Sequence, residues 1–120
     1  MRGHVVAVAA LSLAALSVTG TPLSDAAAGT KTVTVTGKEF SFAPERISGT
    51  PGSELVITFR NEGKLSHNLT FPALEVSTGT IQAGETKKVR VTVNEEGSYS
   101  FICTVPGHKE AGMHGDLRVR

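Results

Sequence analysis

Lys88-Val89-Arg90-Val91-Thr92-Val93-Asn94-Glu95-Glu96-Gly97-Ser98-Tyr99-Ser100-Phe101-Ile102-Cys103 holds two alternating runs around a turn. Val89, Val91 and Val93 share one parity; Lys88, Arg90 and Thr92 take the other. That is the period of a strand with one buried and one wet face. Asn94-Glu95-Glu96-Gly97 breaks the alternation with turn chemistry. Tyr99, Phe101 and Cys103 then resume it, which aims Cys103 at the core. The same period recurs outward in both directions. Leu55, Ile57 and Phe59 oppose Glu54, Val56, Thr58 and Arg60, and Val33 and Val35 alternate with Thr32, Thr34 and Thr36. Phe40 and Phe42 share a parity before Pro44 ends their run, and Leu117 and Val119 oppose Asp116, Arg118 and Arg120. Turn signals at Thr50-Pro51-Gly52-Ser53, Asn61-Glu62-Gly63 and Ala83-Gly84-Glu85 separate the runs. About seven or eight short strands at this spacing predict an all-β, Greek-key β-sandwich or barrel.

The chain has 120 residues, enough for one domain. Twelve Lys and Arg stand against 11 Asp and Glu, a net charge of +1, so no basic field exists to grip nucleic acid. A single Cys forbids an intrachain disulfide. Arg2, the uncharged run Val5 to Val18 and the small residues through Ala26-Ala27-Ala28 have the three-part layout of a secretory signal. That run is shorter than the roughly 20 residues a membrane-spanning helix needs. The expected organisation is a signal peptide over 1–28 and one domain over 29–120. No Cys near the cleavage site is available to carry a lipid, so the expected location is periplasmic or extracellular. Small exported domains are often held by disulfides. Without one, a bound metal is the next reinforcement to look for.

Beyond Cys103 the chain reads Thr104-Val105-Pro106-Gly107-His108-Lys109-Glu110-Ala111-Gly112-Met113. Pro106-Gly107 forces a loop that carries His108, and Met113 closes it before the Leu117/Val119 strand. Upstream, His67, Leu69 and Phe71 share a parity, with His67 at the mouth of a short strand. Each residue alone has a bland explanation. A lone Cys is usually an inert buried hydrophobe, a loop His is usually solvated, and a Met is usually core filler. Together they supply a thiolate, two imidazoles and a thioether at one end of a sandwich. That set is the ligation of a blue-copper centre, a His₂Cys plane with a weak axial Met. His4 falls in the signal and His114 points the other way, so neither is a ligand candidate. Asn68-Leu69-Thr70 fits the N-glycosylation pattern but adjoins the site, so Asn68 is expected to be inaccessible.

Cys103-x4-His108-x4-Met113, followed by His114-Gly115-Asp116-Leu117, resembles the C-terminal ligand loop of the plastocyanin/azurin family of cupredoxins. The Cys-Thr-Val-Pro-Gly-His segment is similar to azurin-type and auracyanin-type loops, and Glu-Ala-Gly-Met to plastocyanin. Ser66-His67-Asn68 resembles the family's first-ligand motif, and the likeness covers residues 31–120. The resemblance implies one type 1 copper ion held by His67, Cys103 and His108, with Met113 axial. It also implies that the Asn68 side chain ties the first-ligand loop to Thr104.

The resemblance further implies a small exported carrier of single electrons between redox proteins that act as donor and acceptor. Docking is expected to be weak and transient, at an apolar patch of Leu65, Pro106 and Ala111 around His108, with the protein itself a monomer. An enzyme of the nitrite-reductase or multicopper-oxidase kind needs a second copper site with further histidines, and only His114 is left over. The more serious alternative is a copper carrier, chaperone or copper-homeostasis binding protein. Such proteins tend to offer open Met- or His-rich sites, whereas Met113 is the only Met beyond Met1.

Overall fold

The computed structural model describes Gly3 and residues 29–120; apart from Gly3, the leader expected over 1–28 lies outside the described residues. Among the described residues, nine strands form two sheets. β1 (Thr30–Lys38), β2 (Ser41–Ala43), β4 (Glu54–Asn61) and β7 (Thr86–Thr92) make the first, in the order β2-β1-β4-β7. β3 (Arg46–Gly49), β5 (Thr70–Phe71), β6 (Val76–Ser77), β8 (Gly97–Ile102) and β9 (His114–Val119) make the second, in the order β3-β9-β8-β5-β6. The all-β sandwich expected from the alternation is the observed fold. The strand number exceeds the expected seven or eight because β2, β5 and β6 are fragments of two or three residues.

Register follows parity. β4 sits between β1, its parallel partner from Thr30↔Glu54 to Gly37↔Asn61, and β7, its antiparallel partner from Glu54↔Thr92 to Arg60↔Thr86. Leu55, Ile57, Phe59 and Val91 therefore point inward together. β8 and β9 pair from Gly97↔Val119 to Ile102↔His114, which aligns Phe101, Leu117 and Val119 on the facing sheet. β-Branched residues dominate these runs because they pack well on a pleated surface.

Four phenylalanines join the layers. Phe42 on β2 meets Phe59 at a centroid distance of 5.8 Å and Phe101 at 5.3 Å, and Phe101 meets Phe71 at 5.5 Å. The contacts are edge-on or tilted, as ring quadrupoles favour. All four rings are buried, and burying each contributes about 1.5–3 kcal/mol. The core they build runs up to Cys103, Met113 and Leu69, so the apolar interior ends on the candidate ligands.

Two local readings change. Phe40 does not share the burial of Phe42: it is 39% exposed, against 1%, because β1 ends at Lys38 and Phe40 falls in the turn before β2. Val56 is buried despite its outward parity; it lies between its register partners Thr32 and Arg90 on a central strand. Among the described residues, no helix is long and apolar enough to cross a membrane.

Candidate metal centre

The site lies where β8 runs out. Cys103 follows its last residue and is fully buried, as the parity of Tyr99 and Phe101 requires. The chain then turns through Pro106 and Gly107, whose φ of 82° suits a residue without a Cβ. Instead of an irregular loop, one helical turn follows, α1 (His108–Ala111), with His108 at its start. The Met113 N–H donates to the His108 carbonyl (3.0 Å), and the Cys103 N–H donates to the Met113 carbonyl (3.1 Å). Backbone hydrogen bonds thus link all three candidate ligands of this segment. Met113 is fully buried, and its methyl end reaches the neighbourhood of Gly37 on β1.

His67 arrives on a separate segment of the chain. It exchanges two backbone bonds with Ile81, at 3.1 and 2.9 Å, forming an isolated bridge at the end of the second sheet. The strand beyond it is only Thr70–Phe71, yet His67, Leu69 and Phe71 are all fully buried, as their shared parity predicts.

The three donors converge. His67 Nδ1 lies 3.0 Å from His108 Nδ1, and Cys103 Sγ lies 4.0 Å and 3.6 Å from those two nitrogens. Ligands of one trigonal ion, bonded at about 2.0–2.3 Å, stand roughly 3.5–4 Å apart. The observed spacings bracket that range. Among the described residues, His67, Cys103 and His108 form the one cluster of His, Cys, Asp or Glu able to hold a metal ion. A soft thiolate beside two imidazoles fits one copper ion of type 1. His114 is exposed on β9, turned away from the site.

A hydrogen-bond web holds the two ligand segments together. The Asn68 amide nitrogen donates to the hydroxyls of Thr104 (2.8 Å) and Thr80 (3.1 Å). Its carbonyl oxygen accepts from the Thr104 N–H (3.0 Å) and the Thr70 hydroxyl (2.9 Å). Asn68 is only 3% exposed, against its outward parity, because both ends of its amide are used inside. Two of these bonds join Asn68 to Thr104, the residue after Cys103.

Two residues at the site carry no sign of that role in the sequence. Phe40 sets its ring edge-on to His108, at a centroid distance of 5.0 Å. Glu39, beside it in the turn, places Oε1 3.4 Å from His67 Nε2. The Leu65 N–H does most to hold the Glu39 carboxyl down to about 2, against the opposing effect of desolvation. Burial pushes the His67 imidazole below its ordinary value, although Glu39 pulls it the other way. No spacing motif marks Glu39 or Phe40; a charged and an aromatic residue in a hairpin turn are unremarkable by composition.

Comparison with known proteins agrees with this geometry. The cupredoxin-like domain family matches residues 5–119. The chain belongs to that family, and it displays a two-sheet sandwich with a buried His-Cys-His cluster. Within it the chain is plastocyanin-like: it is 34% identical to the plastocyanin of Mercurialis perennis over 94 residues, 68% of this chain and 89% of that protein. Its fold is similar to auracyanin B, with a TM-score of 0.66 and 26% identity over 78% of this chain and 90% of that one. It is also similar to auracyanin A, a "blue" copper protein of Chloroflexus aurantiacus, with a TM-score of 0.65 and 22% identity over 77% of this chain and 100% of that one.

Proposed function

We propose that residues 29–120 form an exported domain that carries single electrons between redox proteins, with His67, Cys103 and His108 as equatorial copper ligands and Met113 axial. The buried triangle of Nδ1, Nδ1 and Sγ is the observation that carries this reading. Bound copper supplies a one-electron Cu(II)/Cu(I) couple. The protein's part is to keep the donors still, so that neither oxidation state demands rearrangement. Three donors tied by backbone bonds in one segment, and a fourth stapled to it through Asn68, suit that task. The N-terminal layout of residues 1–28 supports export by a signal peptide. The experiment is to load the full chain with Cu(II) and record optical and EPR spectra. An intense blue thiolate-to-copper band is expected; its absence would leave a copper carrier or copper-homeostasis protein as the better reading.

Met113 tunes the couple in this proposal. Met113→Gln is expected to lower the reduction potential, since an amide oxygen favours Cu(II), and Met113→Leu to raise it. Both variants should keep copper. Identical potentials in cyclic voltammetry for all three proteins would remove Met113 from the axial position.

Electrons are proposed to enter and leave beside His108. Leu65 is 47% exposed, Pro106 and Ala111 are exposed, and Phe40 adds an apolar ring against the imidazole. Lys109 and Glu110 oppose each other in charge. A small apolar contact without a charged ring gives a weak, short-lived complex, and a chain of net charge +1 steers little at long range. Electron self-exchange should therefore depend weakly on ionic strength. Leu65→Glu and Ala111→Glu should each slow it while leaving the optical spectrum unchanged. Rates untouched by both substitutions would place the entry point elsewhere.

A further inference from the structure

The turn between β1 and β2 delivers a carboxylate to the back of one ligand histidine. Glu39 Oε1 accepts the backbone N–H of Lys64 (2.6 Å) and of Leu65 (2.5 Å), and the same oxygen faces His67 Nε2. The other ring nitrogen, Nδ1, faces His108 and Cys103. An ionised carboxylate can only accept hydrogen bonds, so an imidazole set against one carries its proton on that side. His67 Nδ1 is thereby left with a bare lone pair directed at the other donors, the state a metal ligand requires.

The neighbouring turn is shaped to admit this carboxylate. A Cβ on Gly63 would stand 2.5 Å from Oε2 and 2.7 Å from Oε1, so a side chain there would push the carboxylate out of this position. Asn61 braces the same turn from beneath: its amide nitrogen donates to the carbonyls of Leu65 (2.9 Å) and Ile81 (3.2 Å), and its oxygen accepts the Gly63 N–H (3.0 Å). Glu39 is itself three-quarters covered. Its hydrogen bonds to other residues run to Lys64, Leu65 and His67, on the chain leading into the ligand.

We propose that Glu39 is a positioning residue of the copper site, which fixes His67 as the Nε2–H tautomer, locks the 63–67 turn and sets a negative charge one imidazole away from the metal. The proposal rests on the copper reading of the site. A carboxylate behind a ligand imidazole makes the imidazole a stronger donor and favours Cu(II) over Cu(I). The reduction potential is therefore lower than a neutral acceptor in the same place would give.

The test compares the full-length wild type with Glu39→Gln and Glu39→Ala. In the metal-free wild type, nitrogen NMR should show His67 as a single Nε2–H tautomer. Glu39→Ala should mix the tautomers and weaken Cu(II) binding by about 10–100-fold. Glu39→Gln retains an oxygen acceptor without the charge. It should restore the tautomer and most of the affinity while raising the reduction potential. A Glu39→Ala protein with wild-type tautomer and affinity, or a Glu39→Gln protein with wild-type potential, overturns the proposal. A wild type that takes up copper without a blue band sinks the type 1 electron-carrier reading instead, and the tautomer of the metal-free protein then still decides for or against Glu39.

Discussion

Cys103→Ser is expected to abolish the blue absorption band and the narrow copper hyperfine splitting together. Both signatures come from a covalent copper–thiolate bond, and a serine hydroxyl cannot replace it. The substitution is nearly isosteric in a fully buried position, so the fold should survive. The new hydroxyl would sit where His67 and His108 already supply ring nitrogens. Any residual Cu(II) should be pale with wide hyperfine splitting, held without a thiolate. A serine variant that kept an intense blue band would refute the role of Cys103, and with it the proposed function.

Saturating Cu(II) is expected to raise the melting temperature by an amount that calorimetry cannot miss. The donors converge only in the folded chain, so metal affinity is folding free energy. Free metal at 100 times its dissociation constant contributes about 2.7 kcal/mol. In a domain of this size each kcal/mol shifts the midpoint by about 4–8 °C, so the rise should be roughly 10–20 °C. The domain has no disulfide to mask the effect, since Cys103 is a free thiol. Cys103→Ser should lose most of the increment. Equal melting temperatures with and without Cu(II) would count against a built metal site.

Legibility in the sequence tracked how local each cause was. Parity within a run placed Ile57, Phe59, Phe101 and Cys103 on the core side, because alternation is a property of a single strand. It succeeded even for His67, where the strand proper shrinks to Thr70–Phe71. It failed for Phe40, since that residue lies in the turn before β2 and strand parity does not extend into a turn. Val56 and Asn68 are buried against their parity for non-local reasons. One is flanked by neighbouring strands; the other spends its amide on Thr80 and Thr104. The ligands were readable because their residue types are rare in combination. Glu39 was not, because its meaning depends on a turn 25 residues away in sequence.

The separation of His67 from Cys103, 36 positions along the chain, also bears on how the molecule assembles. β1 and β4 pair in parallel, as do β3 and β9, so the chain must close long loops before either sheet is complete. Topologies rich in such distant contacts fold in milliseconds to seconds, not microseconds. The donor triangle closes only when the bridge at His67 and the end of β8 have both found their places. Colour would therefore develop last: in a refolding mixture containing copper, absorbance at the thiolate band would trail the gain of sheet structure and serve as a clock for the final docking event.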